Sequence, residues 1–310
     1  MSDNTTESVN DDLPPEGIAF GWVNDPVAVS EIVAGLPYKS FDETPAFKLF
    51  ADTLPDTCYL WDFAKQVTGK LLPPANQGQV GSCVAFGVAR AIEYSICAEI
   101  VNGQNEEFAK LVEEIIYGGS RVEIGGGRLG YGDGSIGAWA ASFVKRFGIL
   151  DRRVHGKYDF TKYNEARCKE YGRLGVPNDI EPEVKKHPVK ETVLVTNTDQ
   201  AMKALYQGWG IAVCSGQGFT MRRDSNGICR ASGSWAHCMC LCGWTTIDGK
   251  IYFRIDNSWG ANAHTGPTGP GEPGPEGFYA AANVVDNMLA EKDSFAFSAV
   301  EGFPLRKIRW

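Results

Sequence analysis

Residues 77–86 read QGQVGSCVAF, and this segment gives the clearest indication of the fold. The run 84–100 behind it is apolar and rich in alanine, and Val84, Val88 and Ala91 recur at helical spacing. Because apolar residues lie nearly all round this run, it predicts a buried helix that begins at Ser82 and Cys83. Cys83 is then expected at the positive end of the helix dipole, where the pKa of a thiol is lowered.

Three further residues complete the set of groups that a thiol acyl-transfer site requires. His237 follows Cys83 by 154 residues, and Asn257 follows His237 by 20. His237 is the predicted base, which takes the thiol proton and later gives it to the leaving group, and Asn257 is predicted to orient its imidazole. Gln77 lies six residues before Cys83. Its side-chain amide and the backbone N–H of Cys83 are predicted to form an oxyanion hole.

Each of these residues also has an ordinary structural explanation when it is taken alone. A free cysteine at a helix start is commonly a core residue, a single histidine is commonly a satisfied structural group, and an Asn before Ser-Trp-Gly suits a turn. His264 is a second candidate base, at a less suitable spacing. The occurrence of all four groups in this order favours the catalytic interpretation.

The segments around these residues resemble those of the papain-like cysteine peptidases of the C1 type. They are 77–86, the stretch SWAHCMCLCGW at 234–244 and NSWG at 257–260. The resemblance extends over about residues 57–300 and implies a two-lobed α+β fold. A helical left lobe and a β-barrel-like right lobe would hold the active site in the cleft between them. The resemblance also implies that the helix-like run 136–147 helps to wall the S2 pocket.

The chain departs from the family pattern at three positions near the predicted site. Val80 stands where the family usually has a disulfide-forming cysteine, Val84 replaces the aromatic residue that follows the nucleophile, and Ala236 replaces an Asp or Asn before the histidine. None of these changes removes a catalytic group. The missing bridge argues for a reducing setting or for a fold that is stable without it.

Composition excludes several classes of function. The 310 residues carry a net charge of −8, with a sequence pI near 5.2, which argues against nucleic-acid binding as the main task. The sequence has no apolar run long enough to span a membrane and no recognisable signal peptide. An intracellular or virion-associated setting is favoured, and the localisation is otherwise open.

Nine cysteines are an odd number for a disulfide framework. Cys238, Cys240 and Cys242 alternate on a predicted strand and are expected to be buried core thiols. A metal site would need a second ligand cluster, which the sequence does not offer, so no metal and no cofactor are predicted. Pairing of Cys214 with Cys229, or of one of these with Cys58, Cys97 or Cys168, stays open for an oxidising compartment.

The domain organisation follows from the same patterns. Residues 1–16 are predicted to be a disordered tail, and residues 17–56 an N-terminal arm that packs on the domain or a short pro-segment that fills the cleft. Residues 57–300 form the predicted peptidase domain, with a helical lobe at 57–150 and a strand-rich lobe at 190–300, before a C-terminal tail at 301–310. The basic stretch 151–190 is predicted to be an irregular, solvated face, and the Gly- and Pro-rich stretch 261–276 a turn-rich surface loop near the cleft.

The resulting hypothesis is a cysteine endopeptidase, a thiol protease of the hydrolase class. It would hydrolyse peptide bonds of a polypeptide substrate through Cys83, His237, Asn257 and Gln77 and a thioester acyl-enzyme. Two alternatives stay open: a papain-like fold that serves as a structural or binding component of a larger assembly with little turnover, and another thiol acyl transfer on a non-protein substrate. The N-terminal arm and the 261–276 loop are the candidate surfaces for an assembly partner.

Overall fold

The computed structural model describes residue 14 and residues 17–48, 54–104, 107–298 and 300. The two predicted tails, apart from residue 14, lie outside these residues.

Helices build the first half of the described chain and connect the strands of the second half. They are α1 (Pro26–Ala34), α2 (Pro45–Lys48), α3 (Leu60–Thr68), α4 (Cys83–Val101), α5 (Glu113–Gly119), α6 (Gly137–Arg146), α7 (Glu165–Leu174), α8 (Glu181–Val184), α9 (Thr198–Tyr206) and α10 (Ala282–Leu289). A 3₁₀ turn at Phe41–Glu43 precedes α2, and a π-helical segment at Ser120–Ile124 continues α5. The helices predicted from 84–100 and 136–147 are therefore confirmed as α4 and α6.

Helix α4 is the central element, as its apolar sequence predicts. Residues 83–98 are all buried, and the helix packs against α3, α5 and α6 on one side and against the sheet on the other. A Cβ added at Gly87 would meet Sγ of Cys238 at 2.8 Å. The absence of a side chain at this position lets the helix approach the sheet closely, next to the residue that follows His237.

The strands form one main sheet in the described part of the chain. They are β1 (Thr57–Tyr59), β2 (Val154–His155), β3 (Tyr158–Asp159), β4 (Thr192–Leu194), β5 (Ile211–Phe219), β6 (Ala231–Ile247), β7 (Lys250–Asp256), β8 (Gly277–Ala281) and β9 (Phe295–Phe297). The main sheet has the order β4-β9-β5-β6-β7-β8, with β1 added on β6, and β2 and β3 form a separate pair. The described strands thus leave β4 and β8 at the two ends of the right-lobe sheet.

The pairing of β6 with β7 brings two predicted site residues together. Cys240 lies opposite Asp256 in this antiparallel register. His237 therefore lies three residues beyond the pair on β6, and Asn257 directly follows it at the end of β7. Two residues that are 20 positions apart in the sequence thus meet at one edge of the sheet.

Two details of the predicted organisation are wrong. Residues 57–59, assigned to the helical lobe, form β1 and pair with Thr245–Gly243 of β6 in the strand-rich lobe. The stretch 151–190, predicted to be irregular and solvated, contains α7, α8 and the β2–β3 pair. Its Arg152 is buried because Glu113 and Glu114, at the start of α5, bind its guanidinium. A carboxylate pair elsewhere in the chain, which sequence spacing does not reveal, converts this basic residue into a structural one.

The nine cysteines are free thiols, eight of them buried, so the bridge between Cys214 and Cys229 that the sequence left open is not formed. In the described ranges, no cluster of three or more His, Cys, Asp or Glu side chains has the arrangement of a metal site. A search of the same ranges for a helix long and apolar enough to cross a membrane finds none.

Candidate active site

His237 and Asn257 are in direct contact at the edge of the sheet. Nε2 of His237 lies 2.9 Å from Oδ1 of Asn257, and both side chains are buried. The backbone N–H of Ser258 also donates to Oδ1 of Asn257, at 2.7 Å. Because a backbone N–H is always a donor, this contact identifies the Asn257 atom as the carbonyl oxygen, so Nε2 of His237 carries a proton and donates it.

Cys83 is the first residue of α4 and is fully buried. Its thiol interacts with the backbone N–H groups of Cys238 and Val84, so it lies beside the residue that follows His237. Nδ1 of His237 makes no hydrogen bond with any described residue. The nucleophile and the base predicted from the sequence are thus on adjoining elements, α4 and β6, without a hydrogen bond between them.

Gln77 is held on both sides of its amide. Oε1 accepts a hydrogen bond from Oγ of Ser258 at 2.6 Å, while Nε2 donates to the carbonyl of Val80 at 2.9 Å and to that of Ala19 at 3.0 Å. The Ser258 hydroxyl therefore points the NH₂ group toward the cleft. There it contacts a backbone carbonyl of the N-terminal arm.

Residues 19–23 of the arm, hereafter the covering segment, lie in the cleft between the two lobes. On the left wall, the N–H of Ser135 donates to the carbonyl of Gly21 at 2.8 Å, and the N–H of Val23 donates to the carbonyl of Ser135 at 2.9 Å. On the right wall, the N–H groups of Gly21 and Trp22 both donate to the carbonyl of Ala236, at 3.1 and 3.0 Å. The covering segment is thus bound through its backbone to both lobes, next to His237.

Close backbone approach is required at Gly21. A Cβ at this position would lie 2.0 Å from the carbonyl oxygen of Gly81, far inside any van der Waals contact. Gly81 is two residues before Cys83, so the covering segment passes directly over the entry to α4.

Aromatic rings complete the cover over the imidazole. The ring of Phe20 meets His237 edge-on at a centroid distance of 5.9 Å and also meets Trp259 edge-on at 5.6 Å. Trp259 stacks on His237 at 4.5 Å. The imidazole therefore lies between an indole and a phenyl ring and is shielded from water.

The buried environment determines the protonation states of the two predicted reacting groups. Burial, and then the neighbouring Cys238, raise the pKa of Cys83 well above the ordinary range of a thiol, although three backbone N–H groups act in the opposite direction. Burial lowers the pKa of His237 to about 4, against the stabilising hydrogen bond to Asn257. The predicted lowering of the Cys83 pKa is thus wrong for the covered site, because desolvation outweighs the helix start and no imidazolium is in contact.

Trp22 fills a pocket beside the site. Its indole N–H donates to Asp293 at 2.7 Å, and Asp293 also accepts from the N–H groups of Gly137 and Ala138 at 2.8 and 2.7 Å. The start of α6 therefore forms one wall of the pocket, in the stretch that the family resemblance assigned to S2.

His264, the second candidate base, contacts Asn257. Its Nε2 lies 3.1 Å from Nδ2 of Asn257, and its side chain is buried. Burial, together with Arg223 and Arg254, lowers the pKa of His264 to about 3. The structure thus places this residue behind Asn257 and not beside the thiol.

The 261–276 loop, predicted as a surface loop, is fixed by two arginines. Arg223 donates to the carbonyls of His264, Gly266 and Pro275, and Arg254 donates to that of Thr268. Arg254 is completely buried although it occupies a polar position of β7. The Gly- and Pro-rich sequence supplies the turns that direct these carbonyls at the guanidinium groups.

Several residues of the site were not identified as such from the sequence. Ser258 and Trp259 were quoted only as part of the NSWG motif, and Asp293 carried no signal. The sequence signal at Phe20 and Trp22 is their apolar character, which is unusual for a solvated tail and indicates contact with the domain.

The α+β fold described above is shared with a cysteine protease of known structure. The chain belongs to the papain family of cysteine proteases: residues 59–267 match the family described as "Papain family cysteine protease". It is 25% identical over 215 residues to "Cysteine proteinase 1" of Entamoeba histolytica. That match covers 66% of this chain and 59% of the length of the relative.

Solved structures of similar fold extend over nearly the whole chain. Xylellain, a cysteine protease from Xylella fastidiosa, aligns with a TM-score of 0.56 at 17% identity, covering 93% of this chain and 95% of that one. ProCathepsin B S9 from Trypanosoma congolense aligns with a TM-score of 0.56 at 14% identity, covering 92% and 87%. At these identities the likeness shows the fold, and it confirms the predicted papain-like α+β class.

Proposed function

We propose that this chain is a cysteine endopeptidase whose reacting groups are Cys83, His237, Asn257 and Gln77, and that the structure represents its covered, latent state. The observation that carries the proposal is the buried hydrogen bond between His237 and Asn257 beside the start of α4. It leaves Nδ1 of His237 as the basic nitrogen on the side of the ring that faces away from Asn257.

The chemistry follows from these positions once a peptide replaces the covering segment. Nδ1 of His237 takes the proton of the Cys83 thiol, the resulting thiolate attacks the carbonyl carbon, and Gln77 Nε2 with the N–H of Cys83 binds the oxyanion. His237 then gives its Nδ1 proton to the leaving amine, and a thioester to Cys83 remains. Water, deprotonated by His237, attacks the thioester and releases the acid with the thiol restored.

Support for latency comes from the contacts of the covering segment. The carbonyl of Ala19 accepts from Gln77 Nε2, so a backbone carbonyl occupies the predicted oxyanion donor. The covering segment also binds the carbonyl of Ala236 on the right wall and the backbone of Ser135 on the left wall. An extended polypeptide in the same cleft would compete for these backbone groups, so we expect substrate and covering segment to exclude each other.

The test compares two full-length variants, one of which should displace the covering segment from the cleft. Gly21→Ala places a Cβ against the carbonyl of Gly81 and should displace the segment, whereas Gly35→Ala, on the same arm, meets only the carbonyl of Ile32 at 3.5 Å and should not. Each chain is incubated with an epoxide inhibitor of cysteine peptidases and with an unfolded protein substrate, then analysed by mass spectrometry. We expect a single adduct on Cys83 and substrate cleavage for Gly21→Ala, and little of either for Gly35→Ala.

The outcomes separate the candidate functions. Cys83→Ala in the Gly21→Ala background should lose both the adduct and the cleavage, and an adduct on another cysteine would refute the assignment of the nucleophile. An adduct on Cys83 without cleavage of any polypeptide would favour thiol acyl transfer on a non-protein substrate. A folded Gly21→Ala chain with neither reaction would favour the structural alternative.

A further inference from the structure

We propose that His264 is a positioning residue of the active site: it fixes the side-chain amide of Asn257 and thereby the tautomer of His237. The inference rests on the proposed function and extends it to a residue of the Gly- and Pro-rich segment. It starts from a continuous chain of contacts, from Nε2 of His237 to Oδ1 of Asn257 at 2.9 Å and from Nδ2 of Asn257 to Nε2 of His264 at 3.1 Å.

The directions of these hydrogen bonds are determined by donor and acceptor chemistry. The N–H of Ser258 donates to Oδ1 of Asn257, so Nδ2 is the NH₂ group on the opposite side. An NH₂ group only donates, so Nε2 of His264 must accept. His264 is therefore neutral, with its proton on Nδ1.

The same logic reaches the predicted base. Oδ1 of Asn257 only accepts, so His237 must hold its proton on Nε2 and leave Nδ1 free to take the thiol proton. If the amide of Asn257 turned over, Nδ2 would face Nε2 of His237 and would require the opposite tautomer, which is unable to act as a base. His264 opposes this turn because Nε2 would then face a carbonyl oxygen.

The surroundings keep His264 in this role. Its side chain is 3% exposed, its ring contacts Phe278 at a centroid distance of 4.7 Å, and Nδ1 lies 3.9 Å from Sγ of Cys229. Its backbone carbonyl accepts from Arg223 at 3.0 Å. The loop that carries His264 is thus fixed independently of Asn257.

The first readout is the tautomer of each imidazole, measured by nitrogen-15 NMR of the full-length protein labelled at histidine. The chain has four histidines, so all signals can be assigned by single substitutions. We expect the proton of His237 on Nε2 and that of His264 on Nδ1. A wild-type His264 that carries its proton on Nε2 would overturn the proposal, and this result does not depend on catalytic activity.

Variants test the link between the two rings. His264→Phe keeps a ring beside Trp259 and Phe278 but has no acceptor, and it should convert His237 into a mixture of tautomers. His264→Gln restores an acceptor near the position of Nε2 and should return His237 to the Nε2-protonated form. His155→Phe removes a buried histidine of β2 and should leave the His237 signals unchanged. A folded His264→Phe chain with His237 unchanged would refute the proposal.

A kinetic readout separates positioning from simple loss of structure. In the Gly21→Ala background, His264→Phe should lower kcat/KM about tenfold, the effect of one hydrogen bond, mainly in kcat. The alkaline limb of the pH–rate profile should move to lower pH by about one unit, because the imidazolium of His237 is no longer stabilised by a fixed Oδ1 of Asn257. The other charged and titratable groups that face His264 are Arg223, Arg254 and Cys229, and these are unchanged in the variant.

The kinetic outcomes are read in the same way. His264→Gln should restore most of kcat/KM and return the alkaline limb of the pH profile to its original position. An equal loss of kcat/KM in both variants, without a shift of the alkaline limb, would refute the positioning role. A parent chain that cleaves no polypeptide would instead contradict the proposed function, and the tautomers measured by NMR would still decide the role of His264.

Discussion

Replacing Trp22 by alanine tests how strongly the covering segment protects the nucleophile. Trp22 is 5% exposed, and its indole N–H donates to Asp293 at 2.7 Å. The substitution removes the largest buried side chain of the segment and one of three N–H donors to Asp293, while the backbone contacts to Ala236 and Ser135 remain available.

The expected size of the effect follows from this burial. Truncation of a buried tryptophan to alanine costs about 3–5 kcal/mol. Cys83 is buried while the segment is bound, so its alkylation proceeds through an opened state in rapid exchange. Because each 1.4 kcal/mol is about tenfold in an equilibrium, Trp22→Ala should accelerate alkylation by about two to three and a half powers of ten. Trp22→Phe keeps a ring but lacks the donor to Asp293, and it should accelerate the alkylation of Cys83 about tenfold.

The assay is the rate of alkylation of each cysteine of the full-length chain, followed by peptide mapping. Val27→Ala is the matched control, since Val27 lies on the same arm and is 69% exposed; it should keep the wild-type rate. Cys97, buried in α4 and remote from the covering segment, reports global opening within the same molecule. A Trp22→Ala chain with the wild-type rate at Cys83 would refute the reasoning, as would equal acceleration at Cys83 and Cys97, since the substitution would then act on the whole fold.

Three further predictions concern residues away from the covering segment. Ser258→Ala removes the hydroxyl that orients the Gln77 amide; in an uncovered chain it should lower kcat about tenfold with little change in KM, and an unchanged kcat would contradict the orienting role. The pKa of His264 is lowered to about 3, so below about pH 6.5 this residue binds a proton in the unfolded state but not in the folded state, and wild type loses stability as the pH decreases. His264→Phe lacks this loss. Between pH 7 and pH 4.5 its free energy of unfolding, measured with denaturant, should therefore rise by about 2–3 kcal/mol relative to that of wild type. Arg152→Ala leaves the buried Glu113 without its guanidinium partner and Glu114 with Arg167 alone, and it should lower the free energy of unfolding by about 3–5 kcal/mol, whereas Lys157→Ala, at an ion pair with Asp179 in which both side chains are exposed, should leave it almost unchanged.

The local elements of the fold could be predicted from the sequence because their signals are local. The apolar run behind Cys83 predicts α4, since a helix that is apolar on every side must be buried. The alternation of Ile251, Phe253 and Ile255 against polar neighbours is typical of a strand, and β7 spans these residues. The order of Cys83, His237 and Asn257 indicated the candidate site by the chemistry that such groups share.

The remaining features depend on contacts that no local pattern encodes. Arg254 is buried because carbonyls of a later loop surround its guanidinium, and Arg152 because a distant pair of glutamates binds it. The path of residues 19–23 through the cleft is set by backbone hydrogen bonds to both lobes, which place no requirement on side chains except at Gly21. The sequence therefore allowed both an arm on the surface and a pro-segment in the cleft, and could not distinguish them.

The covering segment also explains why Cys83 and His237 are both neutral in this structure, whereas catalysis requires a thiolate and an imidazolium. Phe20 and Trp259 exclude water from His237, and burial lowers its pKa to about 4 in spite of the hydrogen bond to Asn257, while burial and Cys238 raise the pKa of Cys83. A neutral thiol beside a neutral imidazole is stable in such an environment, whereas a thiolate and an imidazolium need either water or contact with each other. Removal of the segment admits water to both groups, so the helix start at Cys83 and the hydrogen bond from His237 to Asn257 can then favour the ion pair. In the proposed latent state, desolvation therefore acts together with steric exclusion, and a small thiol reagent should be excluded together with a large substrate.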